Sequence, residues 1–132
     1  MPLPLYPALV TCLALLVYLA TVIACARARG RTGLKAPAVA GNAEFERYFR
    51  IQQNTLEQLV LFLPSLWIFA LAVSPLWAGL IGLVFVAARV LYAATYARDP
   101  ATRGPGFVIG FAASVLLLLG GTIGLLYRIL LG

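Results

Sequence analysis

From Pro4 to Ala26 the chain runs without a charged side chain, long enough to cross about 30 Å of hydrocarbon as one helix. No other feature constrains the fold as strongly. A segment in lipid must satisfy every backbone N–H and C=O internally, and a single segment does that only as a helix. Three more apolar runs follow, lying within about residues 44–73, 76–97 and 105–131. With the first helix at about residues 4–27, the 132 residues form a single domain. Its expected class is an all-α membrane protein, four transmembrane helices in an antiparallel bundle. At 63% apolar residues, a soluble domain of this size has no means of hiding its apolar surface.

Charge supplies the expected orientation. Ten Lys and Arg stand against four Asp and Glu. Arg27, Arg29, Arg31 and Lys35 fall in the first connection, read as a basic loop rich in Gly and Pro, and Arg98 and Arg103 fall in the third. The opposite side carries only Arg128. The positive-inside rule puts the two basic connections in the cytoplasm and both termini across the membrane. The excess charge is therefore no nucleic-acid footprint. Because these basic residues follow the first apolar run, that run reads as a retained helix, not a cleaved leader.

The chain has no His, which removes the commonest metal ligand and general base. Cys12 and Cys25 lie on one helix, about 19 Å apart at its rise per residue, too far to bridge. No phosphate-binding loop or CxxC pair is present. Metal and nucleotide chemistry have no support in the residues.

The informative stretch is EFERYFRIQQNTLE, Glu44 to Glu57, which runs through Gln58 into LVLFLPSLWIFALAV with no turn residue between. Asn42 is the expected N-cap of this second helix. At about 100° per residue, Glu46, Arg47, Arg50, Gln53, Asn54 and Glu57 share one face. A helix over residues 44–72 is roughly 43 Å long, placing Arg50 near the membrane surface and Glu57 on the order of 8 Å inside it. A carboxylate at that depth marks a functional site by default. Arg89, Tyr92 and Tyr96 share one face of the third helix, and Arg103 stands at the mouth of the fourth. Together these groups offer cationic forks for carboxylates, a carboxylate for an ammonium and hydroxyls for orientation, suiting a small zwitterion with more than one carboxylate. The same residues also allow a structural ion pair of Glu57 with Arg50 or Arg89. A four-helix exporter with one membrane glutamate is a third class, to which the long basic first connection is foreign.

The run EFERYFRIQQNTLE with Pro64 and Leu66-Trp67, and the later ARVLYAATYARDPATR, resemble the two motifs of the MAPEG proteins, membrane-associated proteins in eicosanoid and glutathione metabolism. The likeness covers essentially the whole chain and is nearest the branch of smaller microsomal glutathione transferases and the leukotriene-forming synthase. It implies a homotrimer binding glutathione as co-substrate between neighbouring subunits. The implied activity is glutathione transfer, or peroxide reduction, on hydrophobic electrophiles or lipids from the bilayer, a detoxification chemistry. Matched position by position, Arg50, Asn54, Glu57, Tyr92 and Tyr96 are implied glutathione contacts. Arg29 and Gln52 are implied contacts from the adjoining subunit, and Arg103 is the implied thiol-activating residue. Gln52 points about 160° away from Arg50 on the wheel, in keeping with that division. The chain departs from the synthase pattern at Gln58, where the synthase has Tyr. A non-catalytic lipid-binding or scaffold role on the same fold is the alternative.

Overall fold

A computed structural model describes residues 2–132. Four helices follow one another: α1 Leu5–Thr32, α2 Ala43–Ala72, α3 Pro75–Arg98 and α4 Gly104–Leu131, with a 3-10 turn at Pro100–Thr102 before the last. All four are long and apolar enough to cross a membrane. The central pair, α2 and α3, is antiparallel and joined by Val73 and Ser74. Each of the two packs on α1 and on α4, so α1 and α4 flank the pair on opposite sides.

The helix ends follow local chemistry. Asn42 Oδ1 accepts from the Phe45 N–H at 3.0 Å, and Ser74 Oγ accepts from the Trp77 N–H at 3.2 Å. Pro75 and Pro105 open α3 and α4, where a missing N–H costs nothing because no acceptor awaits it. Pro64 lies inside α2 and leaves the Val60 carbonyl without its usual donor.

One boundary corrects the sequence reading. Arg27, Arg29 and Arg31 are not in a loop; they form the last turns of α1, which ends only at Thr32. Arginine is a good helix former, and cations at a helix C-terminus oppose its dipole. The stop comes at Gly33, whose φ of 73° lets its N–H close back on the Arg29 carbonyl at 3.1 Å. Hydropathy marks where the apolar stretch ends, and here the helix outruns it.

The core is a column of apolar side chains along the bundle axis. Phe62 of α2 and Phe85 of α3 stack with ring centroids 3.7 Å apart and planes 6° from parallel. Val10, Ala14, Leu66, Ala78 and Leu117 close around them. Trp67 donates its indole N–H to Thr11 Oγ1 at 3.0 Å, tying α2 to α1. Outward-facing Leu9, Leu16, Leu19, Leu116, Leu119 and Ile123 are exposed, as a bundle surrounded by lipid requires. Phe62→Ala is expected to cost about 3 kcal/mol, from lost packing on Phe85, read as a lowered unfolding midpoint in detergent.

The glycines of α4 serve packing within the chain. A Cβ at Gly120 would lie 2.7 Å from Phe69 Cε2, and one at Gly124 would lie 2.5 Å from Val73 Cγ2. The Gly120–Gly124 spacing therefore seats α4 on α2.

Candidate functional site

The fold collects the C-terminal ends of α1 and α3 and the N-terminal ends of α2 and α4 at one end of the bundle. There a cleft of about 310 Å3 is lined by Ala43, Glu46, Arg47, Arg50, Tyr96 and Pro100. Arg103 joins it from the start of α4. Its Nη1 donates to the Pro100 carbonyl at 2.7 Å, and its guanidinium lies 5.5 Å from the centre of the Tyr96 ring. Asp99 organises this connection. Its carboxylate accepts from the Ala101 N–H at 3.0 Å, and the turn it starts brings Arg103 back over α3.

From Tyr96 the site continues inward. The Tyr96 and Tyr92 rings are 5.6 Å apart. The Arg89 guanidinium sits 4.1 Å from the centre of the Tyr92 ring, within cation–π range. Arg89 Nη2 donates to Asn54 Oδ1 at 2.8 Å and to Thr55 Oγ1 at 2.9 Å. An unbroken series of contacts, Arg103–Tyr96–Tyr92–Arg89–Asn54, thus runs from the exposed mouth to the buried middle of α2 and α3. Gly106 makes it possible: a Cβ there would lie 2.6 Å from the Tyr92 backbone nitrogen, so α4 lies directly against the α3 backbone only because that position has no side chain.

The structure therefore brings together Arg50, Asn54, Tyr92, Tyr96 and Arg103 of the residues singled out in the sequence. It does not bring Arg29 to this cleft. Arg29 Nη1 donates to the Leu34 and Ala38 carbonyls at 3.2 and 2.8 Å, and its guanidinium lies 4.4 Å from the centre of the Phe45 ring. It clamps the α1–α2 connection. Gln52 is half-buried and Glu57 is exposed, and neither side chain has a hydrogen bond among the described residues. The ion pair among the described residues is Arg31 with Glu44, at 2.6 Å near the bundle end. Glu57 thus pairs with neither Arg50 nor Arg89, and the structural ion-pair reading is not adopted.

Thr55 and Pro100 belong to the site and were not among the residues singled out, and Arg47, which lines the cleft, was named only for its place on the polar face of α2. Thr55 carried a signal, since it is the hydroxyl next to Asn54 on the face turned toward α3. Pro100 carried none, because it contributes a carbonyl and a cleft wall.

These features define a class: a four-helix membrane bundle with a cationic, tyrosine-lined site at one end. The match to the MAPEG family model spans residues 5–123, and the chain belongs to the MAPEG family. It is an integral, multi-pass membrane protein. It is 43% identical to an uncharacterized protein of Synechocystis over 95% of this chain and 91% of that protein. Human microsomal glutathione S-transferase 2 is 35% identical over 75% of this chain and 67% of its own. Guinea pig (Cavia porcellus) leukotriene C4 synthase is 36% identical over 79% and 69%.

Proposed function

We propose that this protein is a membrane-embedded glutathione transferase that activates the glutathione thiol for attack on hydrophobic electrophiles. The observation that carries the reading is the cleft shared by Arg50 and Tyr96, with Arg103 held beside it on the Pro100 carbonyl and the Tyr96 ring; among the relatives are a glutathione transferase and a leukotriene synthase. Glutathione has two carboxylates, one ammonium and one thiol. Arg50 and Arg47 are the forks for a carboxylate, Glu57 is the partner for the ammonium, and Tyr92 and Tyr96 orient the peptide. Asn54 lines the inner end of the site, where its amide oxygen is held by Arg89.

Arg103 is the activating residue. The thiolate is the nucleophile, and a thiol with a pKa of about 8.5 is mostly protonated at neutral pH. Bringing it to about 7 takes roughly 2 kcal/mol of preferential thiolate stabilisation, within reach of a guanidinium hydrogen bond in a partly dry site. The thiol proton passes to solvent at the exposed mouth. The thiolate sulfur then forms a bond to the electrophilic carbon as the leaving group departs or a strained ring opens.

The assembly proposed is a homotrimer with the site on the cytoplasmic side, where Gln52 and Arg29 of a neighbouring subunit complete it. Arg29 Nη1 is engaged with the loop carbonyls, so its other N–H groups supply that contact. The electrophile arrives laterally through the apolar surfaces exposed to lipid.

The test is an ultraviolet titration of the detergent-purified protein with glutathione. A saturable thiolate signal supports the reading. Saturable binding without thiolate assigns the site to ligand binding alone, and no binding shifts the assignment to the lipid-binding alternative. Arg50→Ala is expected to weaken glutathione binding about tenfold or more, the usual loss for a charge-assisted hydrogen bond, as measured by calorimetry.

A further inference from the structure

Arg89 is the largest fully buried side chain among the described residues, 1% exposed, and it lies in the interior of a helix long enough to span the membrane. Its hydrogen-bond partners, Asn54 and Thr55, are neutral, and its Nε has no partner among the described residues. No carboxylate lies within ion-pair distance among the described residues. A cation buried this way is costly and is ordinarily paired or functional.

The surroundings leave it uncompensated. On α2 it meets Asn54 and Thr55, with Arg50 and Glu57 on the exposed face of that helix and Glu46 and Arg47 toward its start. On α3 it meets Tyr92, which leads to Tyr96 and Arg103. On α4, Gly110 faces its stem, since a Cβ there would lie 3.7 Å from Arg89 Cδ, and residues 106–126 hold no ionisable side chain. Between residues 5 and 26, α1 has only Tyr6, Tyr18, Cys12 and Cys25.

We infer that Arg89 is a positioning residue of the glutathione site, holding Asn54 of α2 against Tyr92 of α3 and lending the bound thiolate an uncompensated interior positive charge. The inference rests on the proposed transferase reading. Bound glutathione gains one negative charge when its thiol ionises, and a fixed cation in a low-dielectric interior favours that form over distances where water would screen it. Arg89 touches the residues that meet the ligand and acts through them.

The experiment is a pH titration of thiolate absorbance at saturating glutathione, on wild type, Arg89→Lys and Arg89→Met. Methionine removes the charge while filling similar space, a replacement that buried ionic sites often tolerate. R89M is expected to raise the pKa of the bound thiol by about one unit, while R89K holds it near the wild-type value. Both are expected to weaken glutathione binding several-fold, because neither reproduces the fork on Asn54 and Thr55. If R89M does not purify as a folded protein, Arg89→Gln, also neutral and able to bond Asn54, takes its place. A folded neutral variant with an unshifted thiol pKa overturns the inference and leaves the transferase reading standing. A wild-type protein that forms no thiolate overturns both.

Discussion

Arg103→Ala is expected to abolish the thiolate signal at neutral pH and to lower turnover about thirtyfold, with glutathione affinity changed no more than a few-fold. The factor follows from the roughly 2 kcal/mol that separates a thiol of ordinary pKa from one near neutrality, at about 1.4 kcal/mol per tenfold. The split between turnover and affinity follows from position. Arg103 lies over the Tyr96 ring, anchored on the Pro100 carbonyl, while other cations, Arg47 and Arg50, line the cleft itself. Stopped-flow titration at several pH values checks it. The variant is expected to regain thiolate at high pH, where the thiol ionises unaided. Failure to recover there, with binding intact, assigns Arg103 to placing the peptide. An unchanged signal at neutral pH moves activation to another residue.

Gly106→Ala is expected to cost more than tenfold in turnover, although the residue carries no functional group. An added Cβ would lie 2.6 Å from the Tyr92 nitrogen and 2.7 Å from its Cα, and a backbone cannot swing aside as a side chain can. The start of α4 must lift from α3. Overpacking of this kind costs about 1–3 kcal/mol, so the protein is expected to fold with a lowered midpoint. Because Arg103 sits at that start, its guanidinium moves with it, and displacements of about 1 Å in a reacting geometry cost on the order of a hundredfold. Gly104→Ala is the control, since nothing lies within 4 Å of a Cβ at that position. It is expected to leave both turnover and the unfolding midpoint near wild type. Equal losses in the two variants refute the packing argument.

Much of this site is visible in one dimension. Asn42 followed by an amphipathic run announces both the start of α2 and its cap, and the cap is made. The i, i+3, i+7 spacing of Arg89, Tyr92 and Tyr96 puts them on one face, and the contacts from Arg89 through Tyr92 to Tyr96 follow. Glu57 is different. Its depth argued for a partner, yet it is exposed and has no ion pair among the described residues, while the interior polar contacts of α2 are made by Asn54 and Thr55. A helical wheel gives the angle between residues but not which angle points at the neighbouring helix.

The four-span count and the cap of α2 follow from the order of residues, because helical hydrogen bonds and transfer into lipid are local properties of a segment, whereas the end of α1, which carries Arg27, Arg29 and Arg31 in helix as far as Thr32, does not follow from hydropathy. Placing Asn54 opposite Arg89, and Arg103 over Tyr96, was decided only by the tertiary structure. Those pairings depend on the sliding register of α2 against α3 and the closeness of α4. The stack of Phe62 on Phe85 is one of the contacts that fix the register, and the approach depends on a side chain absent at Gly106. Interhelical packing is a property of two surfaces together, and neither surface alone carries it.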